Sequence, residues 1–316
     1  MSIAHSPLRY PGGKNCIFPF VSSLIAENGL VGCKYIEPYA GGAGLALRLL
    51  YEEYASSIVI NDLDPLVHNF WTVCVSKPDL LIKWIEKIPI TVATWKKCKK
   101  ILCDETSTDT LDLASAFFFL NRTNVSGVLN GGIIGGLEQL GNYKIDARFN
   151  KNELIRKIEK IARFSGRIKV SNLDGARLIK KYVVHKSDAF LYLDPPYYEK
   201  GSNLYLNAFK DEDHTRLARQ IIKLSTPWLL SYDNHSFISN LYQPFERRAY
   251  RLQHSTSNKV GDEVLIFSNR IKFKDSLNHL ELVLPPHPTI SLDKAERASA
   301  PDKQVCRGDE AQIHSR

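Results

Sequence analysis

The residues best suited to chemistry lie in LDPPYY, residues 193–198, at the end of an apolar run. Proline lacks a backbone N–H and drives the preceding residue out of the helical region, so Asp194 is expected to stand extended at a strand end. Pro195 and Pro196 then offer carbonyl oxygens without donors, and Tyr197 adds a flat aromatic face. This corner suits a planar group that carries an amine, because the carboxylate and a carbonyl can accept its two hydrogens.

An amine held by two acceptors becomes a better nucleophile. The acceptors draw the nitrogen of a base's exocyclic amine toward tetrahedral geometry and localise its lone pair. With a sulfonium methyl donor, direct in-line transfer could follow, driven by positioning and electrostatics. The sequence shows neither a metal-ligand cluster nor a convincing nucleophile pair, so we expect no metal. A rigid strand-to-loop corner without chemistry is the structural alternative.

A glycine-rich turn in YIEPYAGGAGLALRLL, residues 35–50, separates an expected strand from an expected helix. Gly41 and Gly42 allow the backbone to turn tightly and approach a ligand. Asp62 ends the next strand twenty residues after Gly42, where an acid would reach a ribose hydroxyl. Glu37, at the end of the first strand, could face the same ligand or simply be solvated. The spacing predicts a site for an adenosine-containing cofactor.

A second glycine turn, RYPGGK, carries Tyr10 and Lys14 near the chain start. Alone it is an ordinary Pro-Gly turn. The aromatic ring and the ammonium group could, however, stack on and hydrogen-bond to a bound cofactor.

Short apolar strands alternate with helical patterns along much of the chain, which favours an α/β fold with a largely parallel sheet. We predict helices over 44–55 and 211–224, and a third that begins after Asn150 with Glu153 completing a capping box and Leu154, Ile158 and Ile161 buried. The predicted strands are 33–37, 57–62, 189–194, 228–233 and 263–269.

Residues 76–143 interrupt this alternation with Lys- and Trp-rich helical segments and a glycine-rich loop. We therefore predict a core formed by 1–75 and 144–280, an inserted, mainly helical subdomain over 76–143, and a disordered tail over 281–316. The sequence shows neither a signal peptide nor an apolar stretch long enough to cross a membrane, so we expect a cytoplasmic protein.

The positive charge is concentrated in one segment. Residues 144–183 contain twelve Lys or Arg and four Asp or Glu, which accounts for the whole formal charge of +8. Such a concentration is typical of a polyanion-binding surface and equally of a solvated helix face.

The chain resembles the Dam-like adenine-specific DNA methyltransferases over about residues 7 to 270, in stretches that follow the family's order. These stretches are RYPGGK, EPYAGGAG, IND, FFFLNRTNVSG, LDPPY and LLSYDNHSF. The resemblance implies a Rossmann-like methyltransferase core with an inserted target-recognition domain. It implies S-adenosyl-L-methionine as cofactor, double-stranded DNA as partner and N6-methyladenine as product, in a bacterial or phage-type protein.

The resemblance also assigns roles to residues. The turn from Tyr39 would hold the methionine part of the cofactor and Asp62 its ribose, while Asp174 would lie near its adenine or simply cap a helix. Asp194 would contact both the cofactor and a flipped adenine, on which Tyr197 stacks. The cofactor contacts implied are Tyr10, Lys14, Glu37, Tyr39, Gly41, Gly42, Asp62, Asp174 and Asp194. The DNA-backbone contacts implied are Arg122 and Asn124.

Several alternatives stay open at this point. The glycine-rich loop after Asn124 contains no Lys or Arg before Lys144, which leaves the target sequence undefined. Other acceptors are cytosine N4, RNA adenine or a protein amide, and a noncatalytic DNA-binding relative is a different class of function. The irregular glycine spacing disfavours an NAD-dependent oxidoreductase. We expect a monomer, with a cognate restriction endonuclease as a partner only within a restriction-modification pair.

Overall fold

A seven-stranded sheet organises the chain in the computed structural model, which describes residues 5–104, 109–182, 184, 188–199, 209–253 and 260–283. These residues all belong to one compact unit, Met1–Val283. The strands are β1 Cys33–Glu37, β2 Ala55–Asn61, β3 Ile168–Ser171, β4 Ala189–Leu193, β5 Trp228–Asp233, β6 Glu246–Gln253 and β7 Val260–Phe267. From residue 284 onward, the predicted tail (281–316) lies outside the described residues.

The strand order is β3-β2-β1-β4-β5-β7-β6. The first five strands of that order are parallel, and β7 runs antiparallel to both β5 and β6. From β1 the chain moves outward through β2 to β3, and then returns to β4 on the other side of β1. The carboxyl ends of β1 and β4 therefore meet at a topological switch point, where open α/β sheets bind ligands.

Ten α-helices lie within the described residues. They are α1 Phe18–Glu27, α2 Gly44–Tyr51, α3 Pro65–Ser76, α4 Pro78–Lys87, α5 Val92–Cys103, α6 Thr110–Thr123, α7 Lys151–Arg163, α8 Gly175–Ile179, α9 Asp211–Ile221 and α10 Ser236–Leu241. Short 3-10 turns occupy Lys14–Ile17, Val125–Gly127, Ile145–Arg148, Ser165–Arg167, Lys180–Tyr182 and Ser276–His279. Within the described part of the chain, no helix is both long and apolar enough to span a membrane.

Alternate side chains of the strands point to opposite faces and build two apolar clusters. On β1, Tyr35 joins one cluster with helices α1, α2, α3, α6 and α7. Its neighbour Ile36 joins the other cluster, with α8, α9 and α10. The mixed, mostly parallel sheet covered by helices confirms the predicted methyltransferase-like core.

Helix α7 begins where the sequence predicts. The Asn150 side chain accepts a hydrogen bond from the Glu153 backbone N–H, and Leu154, Ile158 and Ile161 are buried. The Glu153 carboxylate forms an ion pair with Lys157 (2.7 Å). The apolar stripe attaches the helix to the core, and Arg156 and Arg163 are exposed on its outer side.

The predicted insert contains α4, α5 and α6, and aromatic packing joins it to neighbouring elements. Phe118 on α6 stacks on Phe70 of α3 with ring centroids 5.2 Å apart, and Phe119 contacts Phe149. These side chains belong to the first apolar cluster. The division of the chain into a core and a recognition subdomain stays a prediction.

Candidate functional site

A cavity of about 620 Å³ opens at the carboxyl ends of β1 and β4. Its wall includes the side chain of Asp194, which follows β4, and that of Glu37, which ends β1. The predicted amine-accepting corner and the predicted cofactor turn therefore share one cavity. A volume of this size lies within the range of about 300–1,000 Å³ that small-molecule and cofactor sites occupy.

The carboxylate of Asp194 is fixed through both of its oxygens. Lys14 Nζ lies 3.0 Å from Oδ2 in an ion pair, and the Asp194 side chain remains 22% exposed to the cavity. Ser231 Oγ on β5 donates to Oδ1 (2.7 Å), and Tyr192 Oη lies 2.8 Å from Ser231 Oγ. The carboxylate is thus held in one orientation while lone pairs remain available on its cavity side.

Burial raises the pKa of Asp194 above its usual range, and the nearby carboxylate of Glu263 raises it further. Lys14 and Ser231 oppose this shift because both stabilise the ionised form. The result is a carboxylate more basic than an exposed aspartate, and a more basic carboxylate is a stronger hydrogen-bond acceptor.

The backbone after the two prolines is held by a second aspartate. The Asp233 carboxylate accepts from the backbone N–H groups of Tyr198 (2.9 Å) and Glu199 (2.7 Å). Asp233 is buried at the end of β5. It occupies the N–H groups of the second and third residues after Pro196, so these two donors are not available to a ligand.

Tyr197 lies behind the corner in this structure. Its side chain is 9% exposed and packs in the second apolar cluster, and Lys14 Nζ lies 5.0 Å from the centre of its ring. Pro196 lines the cavity instead. Stacking of Tyr197 on a flipped base stays a prediction. The observed cation–π contact instead stabilises the ammonium group of Lys14.

Side chains hold Gly41 of the glycine turn through both its N–H and its carbonyl. The Gly41 N–H donates to Asp62 Oδ2 (2.8 Å), and Trp71 Nε1 donates to the Gly41 carbonyl (2.9 Å). Asp62 also accepts from the Asp64 N–H through Oδ1 (3.0 Å). Burial raises the pKa of Asp62 to about 6. The acid predicted to hold a ribose therefore also shapes the turn on which the cofactor would lie.

Tyr10 lies directly on this turn. A Cβ built on Gly41 would come within 2.5 Å of the Tyr10 ring, and one on Gly42 within 2.9 Å of its Cβ. Asn121 on α6 holds the N-terminal segment beside them, because its side chain bonds to both the N–H and the carbonyl of Arg9. The two predicted glycine turns thus form a single structure.

Glu37 is buried, so a solvated strand end is excluded. It accepts a hydrogen bond from Tyr35 Oη (2.9 Å), and its side chain lines the cavity. Burial raises its pKa to about 8, although the bond from Tyr35 opposes the shift. Glu37 is therefore mostly protonated near neutral pH and can donate as well as accept hydrogen bonds.

The raised pKa of Glu37 predicts a pH-dependent stability. In the unfolded chain this carboxyl ionises near its ordinary pKa of 4.5, whereas in the fold it ionises near 8. Stability therefore falls as the pH rises through that interval. Glu37→Gln cannot ionise, and we expect its stability relative to wild type to increase by at least ~1.4 kcal/mol, one pKa unit, between pH 5 and pH 8.5.

Urea unfolding of both proteins at the two pH values measures this difference. Glu86→Gln provides the control, because the same substitution is made at an exposed position of α4. Equal pH dependence of wild type and Glu37→Gln would show that Glu37 is ionised in the folded protein.

Tyr39 and Asp174 line the same cavity. Asp174 caps α8 by accepting from the Arg177 N–H (3.1 Å), so its capping role is present together with a position suited to ligand contact. Gly175 lies beneath Tyr39, since a Cβ there would come within 2.4 Å of the ring.

The two predicted DNA contacts differ in their positions. Arg122 lines the cavity and donates to the carbonyls of Arg148 (2.7 Å) and Pro7 (3.5 Å). Asn124 is fully buried: its amide donates to the carbonyls of Val128 and Leu129, and its oxygen accepts from Trp95 Nε1. The predicted contact of the Asn124 side chain with DNA is therefore corrected: the side chain is buried and hydrogen-bonded to the loop that follows it.

Most of the predicted cofactor residues line the cavity. Gly41 belongs to the glycine turn but does not itself line the cavity. The predicted residues on the wall are Tyr10, Lys14, Glu37, Tyr39, Gly42, Asp62, Asp174, Asp194, Pro196 and Arg122.

Sequence reasoning missed Ser231, Asp233 and Glu263. Ser231 and Asp233 alternate on β5, which lies next to β4, and Glu263 faces Asp233 across the β5–β7 pairing. Polar residues in the apolar stretches WLLSYD and EVLIFSN were the available signal. Ser231 contacts Asp194, Asp233 the backbone after it, and Glu263 contacts Lys14. These contacts depend on the strand order, which the two stretches do not define.

Comparison with known proteins agrees with this geometry. A family model of the D12 class N6 adenine-specific DNA methyltransferases matches residues 10–256. The type II methyltransferase M.MjaIII of Methanocaldococcus jannaschii is 24% identical over 260 residues, covering 75% of this chain and 88% of the relative. The type II methyltransferase M.CviBI of Paramecium bursaria Chlorella virus NC1A is 23% identical over 240 residues, covering 73% and 85%.

The matched region extends from Tyr10 on the glycine turn past Asp194 of the acceptor corner, and includes both halves of the cavity. The acceptor corner, the acids that line the cavity and the glycine turn all lie within the stretch of chain that the family model matches. The chain belongs to the D12 class of N6 adenine-specific DNA methyltransferases.

Proposed function

We propose that this protein transfers the methyl group of S-adenosyl-L-methionine to N6 of an adenine flipped out of a specific double-stranded DNA sequence. The observation that supports this most directly is the position of Asp194. Its carboxylate is fixed by Lys14 and Ser231 on the wall of the cavity that also contains the glycine turn.

The cavity fits the cofactor that the family uses. S-adenosyl-L-methionine carries a cationic sulfur, an ammonium group and ribose hydroxyls, and the acids Glu37, Asp62 and Asp174 lie along the wall. The aromatic rings of Tyr10 and Tyr39 offer apolar surfaces for stacking. We assign the ribose to Asp62 and the adenine end to Asp174, with the methionine part along the turn from Tyr39 to Gly42.

The acceptor corner activates the target amine. Asp194 and a backbone carbonyl of the double-proline corner accept the two N6 hydrogens, so that the nitrogen lone pair points along the line of attack. When bound, S-adenosyl-L-methionine supplies the methyl carbon, and its sulfur retains the electron pair of the broken carbon–sulfur bond. Asp194, whose pKa is raised by burial, takes up the proton that the methylated nitrogen loses.

The DNA approaches the cavity from its basic side. Arg9, Arg122, Arg148 and Lys157 line the cavity, and α7 places further basic side chains outward. These cations suit phosphates on both sides of a flipped nucleotide. We propose that the subdomain 76–143 recognises the target sequence, while Tyr197 stacks on the extruded adenine.

One chain supplies both the cofactor turn and the acceptor corner, so we propose that the enzyme acts as a monomer. It would work in the cytoplasm, where bacterial or phage DNA lies. Since both relatives are named type II methyltransferases, we further propose that it protects DNA from a cognate restriction endonuclease.

The proposal is tested by incubating the protein with tritiated S-adenosyl-L-methionine and unmethylated genomic DNA, followed by digestion to nucleosides. We expect label in N6-methyladenine. Label confined to N4-methylcytosine, or its absence from DNA, would contradict the proposal. Double-stranded RNA of mixed sequence is the matched control substrate, and sequencing of methylated genomic DNA then defines the recognition site.

A further inference from the structure

A buried acid on β7 lies next to the acceptor corner. Glu263 is fully buried. Tyr250 Oη donates to its Oε2 (2.6 Å), and Lys14 Nζ lies 3.7 Å from the same oxygen. Its Oε1 has no hydrogen-bond partner among the described residues. Because an unsatisfied buried carboxylate oxygen costs stability, a purely structural role does not account for Glu263.

Lys14 connects Glu263 to the acceptor corner. Its ammonium group lies 3.0 Å from Asp194 Oδ2 and 3.7 Å from Glu263 Oε2, and it also donates to the Gly12 carbonyl (3.0 Å). One positive charge is therefore shared between two carboxylates in a buried environment, where charges interact strongly.

We propose that Glu263 is a positioning residue for methyl transfer, acting through Lys14 on Asp194. This inference rests on the proposed function of the corner. By taking part of the Lys14 charge, Glu263 leaves Asp194 oriented by the ammonium group but not fully neutralised by it. Without Glu263, Lys14 would pair with Asp194 alone, and the carboxylate would accept the target amine's hydrogen more weakly.

Several other groups around Asp194 are neutral near neutral pH. Burial raises the pKa of Glu37 to about 8, and Ser231 contributes a hydroxyl. Burial also raises the pKa of the surrounding tyrosines well above the ordinary value, namely Tyr192, Tyr197, Tyr232 and Tyr250. Lys14 and Glu263 are the charged residues whose effect on the pKa of Asp194 is resolved.

The sign of the effect follows from these charges. Burial is the main cause of the raised pKa of Asp194; Lys14 lowers this pKa, and Glu263 raises it. Removing the negative charge of Glu263 must therefore lower the pKa of Asp194. Loss of packing alone would reduce activity without moving this titration in a defined direction.

Glu263→Gln tests the inference, with Glu263→Met as a second neutral variant of similar length. Both should fold, because Lys14 keeps Asp194 as its ion-pair partner at 3.0 Å, so no buried charge is left unpaired. The pH dependence of methyl transfer is measured with tritiated S-adenosyl-L-methionine and unmethylated genomic DNA. We expect a rate about tenfold lower at neutral pH, equivalent to about 1.4 kcal/mol, and an acid limb displaced to lower pH.

Two controls accompany this measurement. Glu246→Gln makes the same substitution on the neighbouring strand β6, where the acid pairs with Arg248 at the surface, and it should leave the rate and the pH profile unchanged. Glu263→Asp retains the charge and should restore the acid limb to its wild-type position.

A second readout does not depend on activity. Carbon-13 NMR of cofactor-free protein with labelled aspartate follows the Asp194 carboxyl, which is assigned by its loss in Asp194→Asn. We expect Asp194 to titrate at lower pH in Glu263→Gln than in wild type. An unchanged titration would overturn the inference, whether or not the rate falls. If wild type fails to methylate DNA, the proposed function fails, whereas the titration still decides whether Glu263 tunes Asp194.

Discussion

Asp194→Ala should leave a folded protein in which the rate of methyl transfer to DNA is at least ~100-fold lower. Loss of one preorganised electrostatic group at a reacting centre typically has an effect of that size. The substitution removes the acceptor that orients the amine and the base that takes its proton. Folding should survive because Lys14 keeps Glu263 as a counter-ion at 3.7 Å, so that the buried charges remain balanced.

Single-turnover transfer of tritium to unmethylated genomic DNA measures this loss, and the melting temperature reports folding. Asp275→Ala is the matched control, since Asp275 is exposed near the end of the described chain and outside the cavity wall. A rate for Asp194→Ala within tenfold of wild type would show that the corner is structural.

The central strands of the fold were predictable because they are buried on both faces. The predicted limits of β1 and β5 are those observed, and β4 ends one residue earlier than predicted. Strand β6 was missed because it begins with Glu246, Arg247 and Arg248, as suits an edge strand that must avoid pairing with other molecules. Helix α2 ends at Tyr51 rather than at 55, since Glu53 adopts a left-handed φ of 59°.

The site residues were predictable where a residue type suited to chemistry stands at the end of an apolar strand. Asp194 and Glu37 follow or end apolar strands, and the parallel arrangement brings those ends together. Asn124 was misplaced because its amide satisfies buried groups, among them Trp95, which lies 29 residues earlier in the chain. Glu263 was missed because its contact with Lys14 joins residues from opposite ends of the described chain, and no local pattern specifies such a contact.

The second large effect is expected at Gly41 of the glycine turn, where two features together disfavour any side chain. Its φ is 46°, a left-handed conformation that costs other residues about 1–2 kcal/mol. An added Cβ would also lie 2.5 Å from Tyr10 Cε1, far inside van der Waals contact. The Gly41 backbone is fixed by Asp62 and Trp71, so the tyrosine ring must move.

Gly41→Ala is therefore expected to displace Tyr10 from the cavity wall and to weaken binding of S-adenosyl-L-methionine at least tenfold, about 1.4 kcal/mol. Isothermal titration calorimetry with the cofactor measures this directly. Gly29→Ala is the matched control: Gly29 also has a positive φ, of 66°, but an added Cβ there meets nothing within 4 Å. Gly29→Ala should lower stability through backbone strain and leave cofactor affinity unchanged. Equal cofactor affinity in the two variants would show that Tyr10 and the turn do not form the cofactor site, because strain alone is common to both.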